Sequence, residues 1–258
     1  LLAYSSIENI GLIFVGFGLT LIFQSFAMPQ LAALALVATL YHCLNHAFFK
    51  SLLFLCTGSV LHATRERNLG KLGGLIHRMP WVTWLALVGV LASAGLPPLN
   101  GFVSEWLLLQ SFLFTSGLPQ GYLNMLLPLV AGAIALIAAL AGFAMVKFFG
   151  VVFLGQPREE KLAQAHDAGR LERIGLLWLA IGCLLLGLLP NIVIDLLDPV
   201  TRLLVGSGLS FAASSESPGW RRAVKVSVDS NASASDDFGS SRAMGKRTML
   251  RFWVCAGC

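Results

Sequence analysis

The chain has 258 residues, 56% of them apolar and only 12% charged, with a mean hydropathy of +0.76. Charged residues make up about 25% of soluble domains, so this composition excludes an ordinary soluble fold, a disordered chain and a secreted disulfide scaffold. The formal net charge of +5 does not indicate nucleic-acid binding, because the basic residues gather in two loops and in residues 214–258, which hold seven basic and four acidic side chains.

Five membrane spans are predicted, at 1–24, 31–61, 81–114, 125–154 and 174–196. No Asp, Glu, Lys or Arg occurs from Ile10 to Phe49, far beyond the run of about 18 apolar residues that marks a span. The first span carries Glu8 about two turns in, where it reads either as a cytoplasmic proton intake or as an interfacial anion.

The second span, taken as one helix, would be about 45 Å long against a hydrocarbon core of about 30 Å, so it must tilt, kink or project. Along it, His42, His46 and Lys50 recur every four residues. Four residues advance about 400°, so the three side chains climb one face of an otherwise apolar helix. A charge at the bilayer centre costs about 2.5–3.5 kcal/mol even on the milder scale, which argues for a use. Imidazole takes a proton on one nitrogen and releases one from the other, and a lysine in low dielectric sheds its proton near neutral pH. The file is suited to relay protons. The plainer alternative has the histidines bonded to neighbouring helices and Lys50 snorkelling to the loop. A zinc site is a further alternative, but Cys43 stands where a metalloprotease motif places Glu, and no third ligand is evident.

The third span contains Gly95-Leu96-Pro97-Pro98-Leu99-Asn100-Gly101. Two prolines remove two amide donors and disfavour helix before them, so a helix broken near mid-membrane is expected, with Gly95, Pro97, Pro98 and Gly101 as its hinge and Asn100 capping the second half. Such unwound backbone survives at that depth only inside protein or beside a wet cavity. Just past the break, Glu105 sits near the positive end of the second half-helix. It reads as partner or terminal acceptor of the relay, or as an ion pair with Lys147 or Lys50. Lys147, near one end of the fourth span, can snorkel or take part in the relay.

Segment 62–80 holds Arg65, Arg67, Lys71 and Arg78, and segment 155–173 holds Arg158, Lys161, Arg170 and Arg173, whereas 25–30 and 115–124 have no Lys or Arg. Two spans separate the basic loops, so a zigzag puts both on one side, the cytoplasm by the positive-inside rule. Cys43, Cys56 and Cys183 lie in apolar segments and read as small hydrophobes, while Cys255-x-x-Cys258 has no partner ligands to make it a metal or redox site. Residues 207–258 form a separate polar tail, with no sustained period through 247.

Four blocks carry a family resemblance: Leu2 to Gly11 (Leu-Ala-Tyr-Ser-Ser-Ile-Glu-Asn-Ile-Gly), His42 to Phe54 (with His-Ala-Phe-Phe-Lys), Gly95 to Phe102, and Phe153 to Lys161. The chain resembles the second half of the antiporter-like subunits of respiratory complex I and its relatives, in particular the hydrogenase-4 and formate hydrogenlyase branch. The resemblance implies an all-α polytopic bundle of inverted repeats, of which residues 1–206 would supply one half-channel. It also implies that His42, His46 and Lys50 act as the proton relay with Glu105, and that Glu8-Asn9 belongs to the hydrogenase branch. The expected function is proton translocation in the cell membrane as a subunit of a complex of the hydrogenase-4, formate hydrogenlyase or NADH:quinone oxidoreductase type, coupled to redox chemistry in partner subunits, with no cofactor in this chain. Alternatives are a sodium/proton antiporter subunit and a non-functional fragment, the latter suggested by the Leu-Leu-Ala start and by a tail unlike the family's.

Overall fold

The structure, a computed structural model, describes residues 1–113, 120–159, 162 and 165–209. All regular secondary structure among them is helical: α1 (Leu2–Ser25), α2 (Pro29–Thr64), α3 (Pro80–Ser93), α4 (Asn100–Leu113), α5 (Gly121–Phe153), α6 (Arg170–Leu188) and α7 (Pro190–Val205). Four of these (α1, α2, α5 and α6) are long and apolar enough to cross a membrane alone. α3 and α4 make a further crossing in two pieces, giving an all-α polytopic membrane bundle.

Proline punctuates the chain. Pro29, Pro80 and Pro190 each open a helix in its first turn, where a missing amide costs nothing. α2 is the axis: its 36 residues extend about 54 Å. Its first nine residues from Leu31 are all buried, enclosed by α1, α4 and α7. It ends at Arg65, whose left-handed backbone (φ 54°) lets its amide bond the Leu61 carbonyl.

The third span breaks as its sequence predicts. α3 stops at Ala94, Gly95 turns with φ +63°, the Pro97–Pro98 bond is cis, and α4 begins at Asn100. Protein covers part of the unwound stretch: Gly187 of α6 lies so close to the Pro98 carbonyl and the Asn100 amide that a side chain there would collide with both. Asn100 does not cap α4. Its Nδ2 instead donates to the Asn45 carbonyl (3.4 Å), because Asn100 is itself the first helical residue and its side chain faces α2.

The fifth span also departs from expectation. The segment 174–196 is not one helix: α6 begins at Arg170 and ends at Leu188, and α7 starts at Pro190. Pro190 has no amide to continue α6, and the run of leucines through the junction hides the break from a hydropathy reading. α7 is amphipathic. It buries Val193, Ile194, Thr201 and Val205, exposes Ile192, Leu196 and Leu203, and docks at the start of α2, where the Ser207 hydroxyl donates to the Pro29 carbonyl (2.6 Å).

The two basic loops meet on one side, as the zigzag requires. The Gly74 amide donates to the Leu154 carbonyl (3.0 Å), Arg158 donates to the Gly70 carbonyl (3.0 Å), and Lys71 lies 3.2 Å from Glu159. Glu159, and then Glu66, hold the Lys71 ammonium above its usual range. Residues 160 and 161, and the tail beyond 209 with Cys255 and Cys258, lie outside the described residues.

The buried apolar residues form two separate clusters. One joins Phe49, Leu52, Leu53, Cys56 and Val60 of α2 to α3, the second half of α5 and Leu176, Ala180 and Cys183 of α6. The other joins Leu31 to Tyr41 of α2 to α1, α4, the first half of α5 and α7. Between them on α2 lie His42, Asn45 and His46, with Lys50 at the margin.

Candidate functional site

The layer between the two apolar clusters is polar, and four helices contribute to it. α2 supplies His42 (2% exposed), Asn45 (0%), half-buried His46 and Lys50 (5%); α4 supplies Asn100 and Ser104 (both 0%); α1 supplies Ser5 and Asn9; α3 supplies Ser93. On α2 the layer runs over nine residues, His42 to Lys50, about 12 Å of rise.

Hydrogen bonds knit α2 to α4 across the break. Asn45 Nδ2 donates to the Asn100 carbonyl (2.8 Å) and to Ser104 Oγ (3.0 Å), and Asn100 returns its own amide to the Asn45 carbonyl. His42 Nδ1 lies 3.0 Å from Ser104 Oγ, and the Ser104 hydroxyl donates to the Gly101 carbonyl (3.1 Å). His46 rests edge-on against the Phe49 ring, with centroids 5.5 Å apart. Tyr41, one residue before His42, donates its hydroxyl to the Leu186 carbonyl and ties α2 to the end of α6.

Lys50 does not snorkel to the loop. Its Nζ points at the Leu2 carbonyl (3.5 Å) near the start of α1. Electrostatic coupling runs His42 to His46, His46 to Lys50 and Lys50 to Glu8. Glu105 in turn lies within the electrostatic reach of Glu8. Glu105 sits in the bend of the broken span, where a Cβ on Gly95 would stand 2.5 Å from its Oε2. Among the described residues it forms no ion pair with Lys50 or Lys147. Lys147 stands apart: it is exposed on α5, with its ammonium 6.0 Å from the Phe143 ring.

Several buried polar atoms in the layer have no hydrogen-bond partner among the described residues: Ser5 Oγ, Asn9 Oδ1, His42 Nε2, Asn45 Oδ1, His46 Nε2, Ser93 Oγ and Asn100 Oδ1. An unsatisfied buried polar group costs about 1–3 kcal/mol, so a concentration of them in one layer marks a place suited to water or a mobile proton. Among the described residues no three His, Cys, Asp or Glu side chains gather as a metal set.

The geometry sets His42, His46 and Lys50 along α2 in the polar layer and Glu105 at the bend beside Gly95, with Glu8 on α1 in electrostatic reach of Lys50, and leaves Lys147 out. It adds Asn45 and Ser104, which sequence reasoning did not single out. Asn45 had a signal, since it lies three residues from His42 on the same helix face. Ser104 had none, because only the packing of α4 on α2 brings it to the histidine.

The family model for the NADH:quinone oxidoreductase/Mrp antiporter transmembrane proteins matches residues 1–134, just over half of the chain. The chain belongs to this family. The match takes in every residue of the polar layer. Among curated relatives of this antiporter-like chain, formate hydrogenlyase subunit 3 of Escherichia coli (strain K12) is 44% identical over 187 residues, covering 72% of this chain and 31% of the relative. Hydrogenase-4 component B of the same strain is 36% identical over 188 residues, covering 73% and 28%. The chain thus spans less than a third of the length of these two relatives. The structure of the Mrp complex from Dietzia sp. DQ12-45-1b shares the fold, with a TM-score of 0.58 at 21% identity, covering 80% of this chain and 44% of that one.

Proposed function

We propose that this chain forms a proton half-channel in a multi-pass membrane subunit of a redox complex of the hydrogenase or formate hydrogenlyase type. In this reading it couples electron transfer in partner subunits to proton movement. The observation that carries the reading is the file His42–His46–Lys50, buried at both ends and half-buried at His46, set where two apolar clusters meet, with Glu8 on α1 and Glu105 at the broken helix. Its kinship with membrane subunits named for formate hydrogenlyase and hydrogenase-4 supports the redox setting.

In this reading Lys50 stores the proton, His46 and His42 pass it along α2, and Glu105 is the carboxylate whose charge sets the direction. Glu8, about 9 Å further along α1 than the Leu2 carbonyl that Lys50 faces, exchanges protons with Lys50, and the basic loops face the cytoplasm. A change of charge in a neighbouring subunit shifts the balance between Glu105 and Lys50 and moves the proton. Each charge moved against 100 mV requires about 2.3 kcal/mol, within reach of interactions in low dielectric. Electron carriers belong to the partners, and this chain contributes ionisable side chains alone.

The test is Lys50→Ala in the assembled complex, with proton uptake measured in inverted membrane vesicles during substrate oxidation. Proton movement is expected to disappear while assembly and electron transfer persist; undiminished uptake refutes the proton file. The Mrp side of the family gives a second reading, a sodium/proton antiporter subunit. Transport that requires sodium and proceeds without a redox substrate selects it.

A further inference from the structure

Three contacts converge on one hydroxyl, and counting its hydrogen fixes a feature of the site. Ser104 Oγ has one hydrogen and two lone pairs. Asn45 Nδ2 approaches it at 3.0 Å, and that nitrogen is a donor, because it also bonds the Asn100 carbonyl at 2.8 Å, which can only accept. The amide is thereby oriented and takes one lone pair. The Gly101 carbonyl, 3.1 Å away, can also only accept, so it takes the hydrogen. One lone pair remains for His42 Nδ1 at 3.0 Å, which must then carry a hydrogen of its own.

We infer that Ser104, oriented by Asn45 and the Gly101 carbonyl, holds neutral His42 in the Nδ1–H tautomer and leaves Nε2 as its proton-accepting face. With the opposite tautomer the hydroxyl would have to turn to Nδ1, setting its oxygen against the Gly101 carbonyl with no hydrogen between. The remaining ring nitrogen fits this assignment: Nε2 is buried and has no partner among the described residues, and the ring is 2% exposed. A proton arriving at Nε2 makes the imidazolium without disturbing any of the three Ser104 contacts. It can leave again only by the same nitrogen unless the hydroxyl rotates. His42 then loads and unloads through one face, and Ser104 is a positioning residue that decides which.

The inference rests on the proton-file reading for its meaning, but its test does not. The chain is labelled with 15N-histidine and studied within its own membrane assembly in lipid, with the His42 signals picked out of the five histidines by difference from His42→Gln. At a pH where His42 is neutral, Nδ1 should show a pyrrole-type shift and Nε2 a pyridine-type shift. A pyrrole-type Nε2 in the unsubstituted protein overturns the inference with no variant at Ser104 needed. In Ser104→Ala the preference should weaken about fivefold, the shift that one net hydrogen bond makes, and Ser104→Thr should restore it. An Ala variant with the original signature also overturns the inference. If the signature moves as expected while Lys50→Ala leaves transport intact, the tautomer assignment stands and the proton-file reading falls.

Discussion

A titratable side chain held away from water needs neighbours that tolerate both of its charge states. Glu105 has such a setting: Gly95 opposite it has no Cβ, the start of α4 offers its positive end, and Glu8 on α1 supplies a like charge. Glu105→Gln keeps the shape and removes the exchangeable proton. Coupled proton transport should fall about a hundredfold, the lower end for loss of a positioned proton carrier, with assembly unchanged on a native gel; transport within twofold of the original would confine the relay to α2. His42, His46, Lys50 and Glu105 were legible in the sequence because ionisable groups stand out in apolar helices. Ser104 and Asn45 were not, since small polar residues are ordinary in such helices and gain meaning only from the register of α4 on α2. Asn100 misled for the same reason, because its cap position and its contact with Asn45 cannot be told apart along one strand of sequence.

The broken span depends on glycine as much as on proline. Gly101 packs directly on the Ala92 carbonyl, so the last turn of α3 and the first turn of α4 touch backbone to backbone. Gly101→Ala should destabilise the protein by about 1–3 kcal/mol, the usual cost of forcing volume into a closed contact. Gly11→Ala, at a position with open space around it, should stay within about 0.5 kcal/mol. Thermal unfolding of both in the same detergent checks the difference, and equal midpoints would show that the contact is not tight. The break between α3 and α4 was legible because two adjacent prolines interrupt the run. The break between α6 and α7 was not, because Pro190 stands alone and the flanking residues are apolar on both sides, so only the turn of α7 toward Pro29 reveals it.

In the molecule as a whole, the polar layer is insulated above and below. On α2 the layer is flanked by Leu31 to Ala38 on one side and Leu52 to Leu55 on the other, apolar runs that rise about 10 Å and about 5 Å and hold no side-chain group to carry a proton. Leu53 is fully buried in the second stretch, packed against Gly89. Leu53→Asp should wet that stretch and raise the passive proton permeability of vesicles about tenfold, read as faster collapse of an imposed pH gradient. An unchanged rate would mean that the seal lies elsewhere. Overall architecture was legible from hydropathy and loop charge, whereas the division of the core into two layers needed the packing of all seven helices. That division also assigns the two pieces of the broken span to different storeys. α3 is fastened below, where Gly89 meets Leu52 and Leu53, and α4 above, where Leu107, Leu108 and Phe112 join the other cluster. Residues 94–99 therefore join two rods seated in different clusters, and the carboxylate of Glu105 lies against that joint at Gly95.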